Sequence, residues 1–435
     1  MGKFVYPVRP MSHMLDLGQA AVNADPLSAQ WASVNQKASV KRVVARWDHY
    51  VLFPMGASEV IKAAPIFRAY NGTYKAIILT ATDAAVVVDT SGKTYRYITQ
   101  RYATGTITEI KNEAESRVYG SGTNWLSSGL NPGDKFVLDT DIDADAEPNP
   151  EWCTIKTIDG DGQLTLTTNY ATNGGTTGLM SEAYRTRMVY SVPTGEQWSY
   201  CSVAGLFCFG NGDINVQSWN GTDPAAIELN GTYARQARYL TAFSDRLLIA
   251  DLLVGGNRSP WTMRWSKIDE PADWTASSAG EKVFIDTEDP ITGMASAGGM
   301  LFIYKKSMYH IAKETTDPTA PIQFLQDQRG TGLWAPASLI AFNGTNAFMG
   351  INDFYIIDGD TPVPIGDPIR YKLFAITSDT ELVRVFGGHN PRYHELLWVV
   401  LTSEGQIVLS YDYKEKAWAV YTFDNLITGL GGQIY

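Results

Sequence analysis

Acidic residues alternate along one short segment of the chain and are its clearest candidate for metal chemistry. They are Asp139, Asp141, Asp143, Asp145 and Glu147. A calcium-binding EF-hand loop needs glycine at its sixth position and glutamate at its twelfth. Counting from Asp139 or from Asp141, neither residue type stands at its required position. We therefore expect a solvated acidic loop, and we assign no metal site.

Cysteine and histidine are too sparse to form a recognisable zinc site or catalytic centre. The three cysteines are Cys153, Cys201 and Cys208, and the five histidines are His13, His49, His310, His389 and His394. An odd number of cysteines without a CxxC pair disfavours a disulfide framework and a thiolate zinc site, so buried free thiols are expected. The sequence contains no GxSxG, HExxH or P-loop motif. We predict no catalytic residue, no cofactor and no enzymatic activity.

A basic cluster in the first fifty residues could contact a partner. Lys37, Lys41, Arg42 and Arg46 stand just before Trp47. One interpretation is contact with DNA or with an acidic neighbouring subunit, and the other is an edge strand protected by its charges. The 435-residue chain has a net charge of −11, so a broad nucleic-acid-binding face is not expected. A fold that lets a polyanion pass without binding it is compatible with that charge.

The elements that must position these residues are β-strands. Short runs rich in Val, Ile, Tyr, Phe and Thr recur between turn-forming pairs such as Asn-Gly and Asp-Gly. The string Asn-Gly-Thr occurs at Asn71, Asn220, Asn230 and Asn343. Asn-Gly suits the two left-handed positions of a type I′ turn, so each pair is expected to close a tight hairpin. No signal peptide or membrane-spanning run is recognised, which favours folding in a cytoplasm without membrane insertion.

Similar hydrophobic hairpins repeat at intervals of about 40–50 residues, the spacing of propeller blades. They begin at Gln197, Arg238, Pro290, Pro336 and Val383, and the stretch 60–100 has the same character. Each unit contains a short apolar strand, a very apolar strand and an aromatic strand. One such sheet cannot bury both of its faces, so the sheets must pack around an axis. We predict an all-β propeller of about six blades, with five or seven as alternatives.

Two regions interrupt this pattern. Residues 103–182 are rich in glycine and aspartate but keep short strands, which predicts a small β-barrel or sandwich inserted in a propeller loop. Residues 1–47 carry a weak helical pattern and are expected to form an N-terminal arm. The propeller is then assigned to residues 48–102 and 183–435.

Motifs in the last part of the chain resemble one protein family in their order and spacing. The first are an Asp-Arg pair, an Arg-Trp-Ser segment and an Asp-Trp pair, at Asp245-Arg246, Arg264-Trp265-Ser266 and Asp273-Trp274. Further segments are DPITGM, LFIYKKSMYHI, RGTGLWAPASLI, GINDFYIIDGDTPVPIG and SYDYKEKAWAVYTF. Together they resemble the propeller-containing nozzle, or tail-hub, proteins of short-tailed double-stranded DNA bacteriophages, the group that includes tail tubular and packaged-DNA-stabilisation proteins. The resemblance covers 230–435 well and 40–100 loosely.

The resemblance implies a structural role in a virion tail. Such proteins form a ring of six copies below the portal and adaptor, enclose the channel for genome exit, and in some cases hold fibres or a needle. It therefore implies a hexamer made in the bacterial host cytoplasm, with an adaptor protein as partner and DNA passing without sequence-specific binding. An acidic wall suits that passage because it repels the duplex. The basic cluster around Lys41 would then face an acidic partner subunit.

Two other functions remain open. One is a propeller glycan hydrolase that uses paired carboxylates in its axial pocket, and the other is a monomeric propeller that binds a receptor or a fibre. We expect the family motifs to pack blades, with buried indoles, arginine stems over aromatic faces, and glycine or proline at a blade crossing. The residues assigned to this structural role are Arg246, Trp265, Trp274, Gly332, Pro336 and Trp418.

Overall fold

The computed structural model describes most of the chain. It covers residues 36–39, 42–45, 60–89, 94–141, 152–192, 196–229, 236–325, 328–403, 405–421 and 430. Regular structure in these residues is almost entirely β-strand. Among them, no helix is long and apolar enough to cross a membrane. Apart from two short strands, the predicted N-terminal arm lies outside these ranges, as do Lys41 and Arg46.

Six antiparallel sheets follow one another as the blades of a propeller, which confirms the predicted fold class and the count of six. A hairpin of β1 (Gln36–Ser39) and β2 (Arg42–Ala45) precedes them. The first blade contains β3 (Ile61–Ala63), β4 (Ile66–Arg68), β5 (Tyr74–Thr80), β6 (Ala84–Asp89) and β7 (Thr94–Tyr97). An inserted sheet comes next, with β8 (Thr106–Ile110), β9 (Arg117–Ser121), β10 (Lys135–Leu138), β11 (Cys153–Gly160), β12 (Gln163–Leu166), β13 (Gly178–Glu182) and β14 (Tyr184–Arg187).

The other five blades occupy the rest of the chain. The second contains β15 (Ser199–Val203), β16 (Leu206–Gly210), β17 (Gln217–Trp219) and β18 (Ile227–Glu228). The third contains β19 (Gln236–Phe243), β20 (Arg246–Val254), β21 (Asn257–Trp265) and β22 (Gly280–Val283). The fourth contains β23 (Ile291–Ala297), β24 (Met300–Lys305), β25 (Met308–Glu314), β26 (Ile322–Phe324) and β27 (Gln328–Arg329).

The last two blades are separated by the two α-helices of the described residues. The fifth blade contains β28 (Ile340–Phe342), β29 (Thr345–Met349), β30 (Phe354–Asp358) and β31 (Thr361–Pro364). Helices α1 (Arg370–Ala375) and α2 (Asp379–Leu382) follow it. The sixth contains β32 (Phe386–Asn390), β33 (Glu395–Thr402), β34 (Gly405–Asp412) and β35 (Ala417–Tyr421). Short 3-10 helices occur at Trp125–Ser127, Asp139–Asp141, Ala171–Asn173 and Pro336–Ser338.

Tight turns of one kind join the first two strands in four successive blades. Both turn residues have positive φ in Ala204-Gly205, Ser244-Asp245, Gly298-Gly299 and Asn343-Gly344. Such type I′ turns match the right-handed twist of the strands they join. The same turn type therefore recurs in these four blades, although the residues that form it differ from blade to blade.

The prediction that every Asn-Gly pair closes a type I′ turn was wrong. In Asn71-Gly72 and Asn220-Gly221 only the glycine has positive φ. The Asn71 and Asn220 carboxamide oxygens instead accept hydrogen bonds from the backbone N–H two residues on, each at 3.0 Å. This side-chain turn competes with the type I′ geometry. Asn230 lies outside the described residues.

The apolar cores of the propeller lie between neighbouring blades. One core joins Phe67 of the first blade to Phe207 of the second, and another joins Phe354 of the fifth to Trp398 of the sixth. Cys201 and Cys208 face each other across β15 and β16 as buried free thiols, as predicted. Because these two cores are each built by two sheets, the blades that form them depend on each other for stability.

Among the described residues near the C-terminal end of the chain, Leu430 lies where the first and sixth blades meet. Leu430 pairs in parallel with Ala63 of β3, in the first blade. Its side chain also lies against Gly388 of β32, where an added Cβ would come within 2.9 Å of the leucine Cβ. Leu430 therefore sits between the inner strands of the first and sixth blades.

The inserted sheet closes on itself to form a small barrel. Its strand order is β13-β8-β9-β12-β11-β10-β14, and only Ala183 separates the two terminal strands in the chain. The two ends of the sheet are therefore two halves of one strand, which pairs with β8 on one side and β10 on the other. The strands of this sheet extend from Thr106 to Arg187. The limits predicted for the insertion from the sequence are residues 103 and 182.

Candidate functional site: the axial cavity

The inner strands of all six blades surround a cavity of about 600 Å³ on the propeller axis. These strands are β3, β15, β19, β23, β28 and β32. Each blade repeats the same up-and-down strand order, so the six inner strands run in the same direction. Residues at their beginnings therefore gather at one mouth of the cavity. The volume is typical of small-molecule sites.

Charged residues concentrate at that mouth. Glu196 precedes β15, Arg238 lies near the start of β19, and Arg384 precedes β32. Lys62, in the middle of β3, adds a further cation to the cavity wall. Glu196 is the one carboxylate that the described residues contribute to the wall. The wall thus carries more positive than negative charge, although the chain as a whole is acidic.

An ion-pair network occupies the side of the mouth formed by the second and third blades. Arg238 Nη2 lies 3.2 Å from Glu196 Oε1, and Arg238 Nε lies 3.8 Å from Asp251 Oδ2. Arg258 donates a 2.8 Å hydrogen bond from Nε to Asp251 Oδ1. Each of the two carboxylates therefore has an arginine partner.

Asp251 is held in an unusual backbone conformation at a bulge in β20. Its φ is +55°, and the register between β20 and β21 shifts between Ala250 and Leu252. A residue with a side chain adopts this conformation at a cost that its surroundings must offset. The side chain is buried beside Arg238 and Arg258, and the ion pairs supply that compensation.

Two cations of the wall have no such partner. Within the described part of the chain, neither Lys62 nor Arg384 makes a side-chain hydrogen bond or an ion pair. Lys62 is partly buried, and burial lowers the pKa of its ammonium group because the charged form is poorly solvated. Arg384 is exposed at the mouth.

His389 lies at the far end of the cavity wall. Its Nε2 is 3.3 Å from the Tyr413 hydroxyl, and its ring packs between Phe342 and Tyr413. Burial lowers the pKa of the imidazole, and the neighbouring His394 lowers it further. A neutral ring is therefore favoured there, so His389 adds no charge to the cavity at neutral pH.

Asp139 and Asp141, the described residues of the acidic segment, do not line the axial cavity. Asp139 pairs with Arg185 at 2.7 Å, and Asp141 accepts hydrogen bonds from the hydroxyls of Tyr170 and Thr176, both at 2.9 Å. These contacts hold the barrel together. Asp143, Asp145 and Glu147 lie outside the described residues. In the ranges that are described, no group of three metal-ligating side chains is found.

Lys37 and Arg42, the described residues of the basic cluster, are not part of the cavity wall. Lys37 lies in β1 opposite Val44, and Arg42 lies in β2 opposite Ser39. Lys41 and Arg46 are outside the described residues. Contact of this cluster with a partner remains a prediction.

Three of the residues assigned to blade packing connect strands of the third blade. Arg246 is buried and donates from Nη1 to the carbonyl oxygens of Ser266 and Ser278, at 2.9 and 3.1 Å. Trp265 donates from Nε1 to the same Ser278 oxygen at 3.2 Å. Trp274 is buried in the core shared by the second and third blades.

The other three lie where the fourth, fifth and sixth blades meet. A Cβ on Gly332 would stand 2.3 Å from the carbonyl oxygen of Lys305, so only glycine fits there. Pro336 begins a 3-10 helix and lines the axial cavity. Trp418 donates from Nε1 to the Ile365 oxygen at 2.8 Å.

Sequence reasoning missed the residues that the fold brings together at the mouth: Lys62, Glu196, Arg238, Asp251, Arg258 and Arg384. Most of them carry no local signal, since isolated charges at strand ends are ordinary surface residues. Asp251 is the exception, because it interrupts the very apolar run LLIADLL. A lone carboxylate inside a core strand is a local conflict of the kind found at functional or strained sites.

Comparison with known proteins adds only remote structural similarities. No protein-family model and no curated protein matches the chain. One similar solved structure is a phage phi92 endosialidase, with 14% identity, a TM-score of 0.26, and coverage of 71% of this chain and 54% of that one. PorZ, a surface component of the type-IX secretion system of Porphyromonas gingivalis, has 11% identity, a TM-score of 0.32, and coverage of 85% and 39%.

A third similar structure is AztD of Citrobacter koseri, with 10% identity, a TM-score of 0.36, and coverage of 85% of this chain and 83% of that one. This chain spans about half the length of the endosialidase and less of PorZ. At such identities and TM-scores, the similarities carry no argument about function.

Proposed function

We propose that this chain is a non-catalytic structural protein of a short-tailed DNA bacteriophage, the tail nozzle, and that six copies form a ring around the path of the genome. The order of motifs between Asp245 and Phe423 supports the family. Within the described residues, the motifs of this resemblance bind strands and blades together, as Arg246 and Trp418 do. The motifs that carry the resemblance thus stabilise the propeller itself, which is consistent with a structural role.

The observation that carries the proposal is the composition of the axial cavity. Most glycoside hydrolases use two carboxyl groups that flank the scissile bond. Of the described residues in the wall, Glu196 alone has a carboxylate, and it is paired with Arg238. One carboxylate held in an ion pair does not supply the two carboxyl groups that this mechanism uses. This argues against the glycan-hydrolase alternative.

The cavity also bears on where DNA would pass. Side chains and backbone from six blades surround a space of about 600 Å³, which suits a small molecule and not a duplex. In a nozzle, the genome would therefore run between copies of the chain and not along the axis of one propeller. Heterologous contacts between copies close such a ring.

The proposal is tested by locating the chain in particles and by measuring its assembly. The mass of the purified chain, alone and mixed with the adaptor, should show six copies in the mixed sample. A label on the chain should appear as a ring below the portal in low-resolution images of virions. Particles that lack the polypeptide, or a chain that stays monomeric with the adaptor, would contradict the proposal.

The second candidate is a monomeric propeller that binds a receptor or a fibre. The unpartnered cations of the cavity wall favour it, because they provide charge for an acidic ligand. The mixed-sample mass measurement separates the two functions. Turnover of virion-surface glycans that is abolished in Glu196→Gln would instead support the hydrolase.

A further inference from the structure

The charges around the axial cavity are balanced on one side and unbalanced on the other. On the side of the second and third blades, Arg238 and Arg258 neutralise Glu196 and Asp251. Lys62 and Arg384 belong to the first and sixth blades, where the described residues supply no carboxylate to the wall. The cavity therefore has a cationic side.

Lys62 and Arg384 come from neighbouring positions of the ring. Leu430 pairs with Ala63, the residue after Lys62, and packs against Gly388, four residues after Arg384. The two side chains are long, and both line the same cavity. A ligand in the cavity can therefore be reached from both of these adjacent blades.

A partly buried cation without a partner is unfavourable, and its environment here shows that cost. Burial lowers the pKa of Lys62, and no carboxylate of the described chain offsets the effect. An anion at this position would restore the charged form and would form strong charge-assisted hydrogen bonds to both side chains.

We propose that the axial cavity is a binding site for a small organic anion whose carboxylate or phosphate group is held by Lys62 and Arg384. A volume of about 600 Å³ admits a sugar-sized molecule and excludes a protein domain or duplex. Apolar residues that line the cavity, Leu240, Met294, Ile340 and Leu430, suit the uncharged body of such a ligand. The site does not depend on the nozzle role.

The test is calorimetric titration of the full chain with three probes: glucuronate, inorganic phosphate and glucose. Glucuronate and glucose share a sugar ring and differ in charge, so glucose should not bind. Saturable one-to-one binding of glucuronate alone would assign a carboxylate ligand. Binding of phosphate alone would assign a phosphate ligand.

Variants then locate the site. Lys62→Met and Arg384→Gln should each weaken anion binding about tenfold or more, the loss expected for one charge-assisted hydrogen bond. Lys62→Arg keeps the charge and should retain binding. The matched controls are Lys414→Met and Arg392→Gln, which alter exposed turn residues of the sixth blade at the far ends of β34 and β32. These should bind like the unmodified chain.

The proposal is overturned if neither anion binds saturably. It is also overturned if binding persists undiminished in the Lys62→Met and Arg384→Gln variants while their melting temperatures match that of the unmodified chain. A loss of binding caused by misfolding is recognised by a lowered melting temperature, and Lys62→Arg then decides whether charge at this position is required.

Discussion

The barrel and the propeller solve the problem of burying apolar residues in different ways. The barrel has one core of its own, formed by residues such as Ile107, Phe136 and Leu164. The propeller instead has cores that belong to two blades, such as the one that contains Phe354 and Trp398. A destabilising substitution in the barrel should therefore affect only the barrel, whereas one in a core shared by two blades should destabilise both blades.

One buried indole in each region illustrates this difference between the barrel and the propeller by its hydrogen bond. In the barrel, Trp125 donates to the Tyr184 hydroxyl at 2.9 Å, and that hydroxyl donates to the Thr104 oxygen at 2.7 Å. In the propeller, Trp398 of the sixth blade donates to the oxygen of Ser338, at the start of the fifth. The hydrogen bonds of Trp125 are thus internal to the barrel, whereas that of Trp398 connects two blades.

The largest expected effect comes from removing one buried indole in each region. Trp418→Ala and Trp125→Ala each delete a nearly inaccessible side chain, at a cost of about 3–5 kcal/mol. Trp418→Ala should lower protection from hydrogen exchange in the fifth and sixth blades, and Trp125→Ala only in the barrel. Denaturant unfolding with hydrogen-exchange mass spectrometry measures both.

Tyr371→Ala is the control for this pair, because its side chain is 79% exposed and should change stability by less than about 0.5 kcal/mol. Equal loss of protection in the barrel and in the blades after Trp125→Ala would remove the distinction between the two regions.

A slightly smaller effect is expected at the joint between barrel and propeller. The Arg187 guanidinium carbon lies 3.8 Å from the ring centroid of Tyr97, and Nε lies 3.2 Å from Asp83 Oδ1. Both charged groups are buried, so Arg187→Met leaves a buried carboxylate without its arginine, at a cost of about 3 kcal/mol. Equilibrium unfolding measures the loss.

Arg185→Met is the matched control on the same strand, because its pair with Asp139 is about one-third exposed and is worth less than about 1 kcal/mol. The double variant Arg187→Met/Asp83→Asn should recover part of the loss. Equal costs for the two single arginine variants would show that the joint has no special role.

Two glycines test backbone packing in the two regions. Gly332→Ala places a Cβ 2.3 Å from the Lys305 carbonyl oxygen, where backbone must move, so a loss of about 1–3 kcal/mol is expected. Gly160→Ala in the barrel meets nothing within 4 Å and should change stability by less than about 0.5 kcal/mol. Thermal unfolding compares the two, and a tolerated Gly332→Ala would contradict the close crossing.

The smallest effect concerns pH and two buried aspartates. Burial raises the pKa of Asp353 in the fifth blade and of Asp134 in the barrel. A raised folded-state pKa contributes stability below the unfolded value of about 4, and this contribution is lost as pH rises through the folded-state pKa. The stability of Asp353→Asn relative to the unmodified chain should therefore increase as the pH rises above about 4.

Asp134→Asn is the informative contrast. Asp353 Oδ1 accepts from both Phe354 N and Gly366 N, so an asparagine oxygen can keep both bonds. Asp134 uses one oxygen for Asn131 N and the other for Val189 N, so its asparagine variant loses one acceptor. Asp134→Asn should be less stable than the unmodified chain at pH 7. Urea unfolding at several pH values tests both, and a pH-independent difference for Asp353→Asn would contradict the raised pKa.

Much of the fold could be read from local patterns. The sequence predicts a blade in the stretch 60–100, and β3 to β7 lie there. The turn conformations were less predictable, because Asn71 and Asn343 share the same following residues but only Asn343 has positive φ. The competing side-chain hydrogen bond of Asn71 is made within the turn, yet the surrounding strands decide which turn is kept.

The candidate site was not predictable, because its residues are distant in the chain. Lys62, Glu196, Arg238 and Arg384 come from four different blades, and none stands in a motif. The spacing of the acidic residues around Asp141 suggested a metal site. In the fold, the Asp141 carboxylate instead accepts hydrogen bonds from two hydroxyl groups of the barrel.

What the sequence determined by itself is the supply of strands, their repeat and the free thiols, since alternation of apolar residues and turn chemistry act over a few neighbouring residues. Only the tertiary structure decided that the insertion closes through β13 and β14, that Leu430 lies between the first and sixth blades, and that Lys62 and Arg384 line a cavity to which the described residues of those blades add no carboxylate. These features depend on which strands become neighbours, and burial and charge pairing exist only after that choice is made.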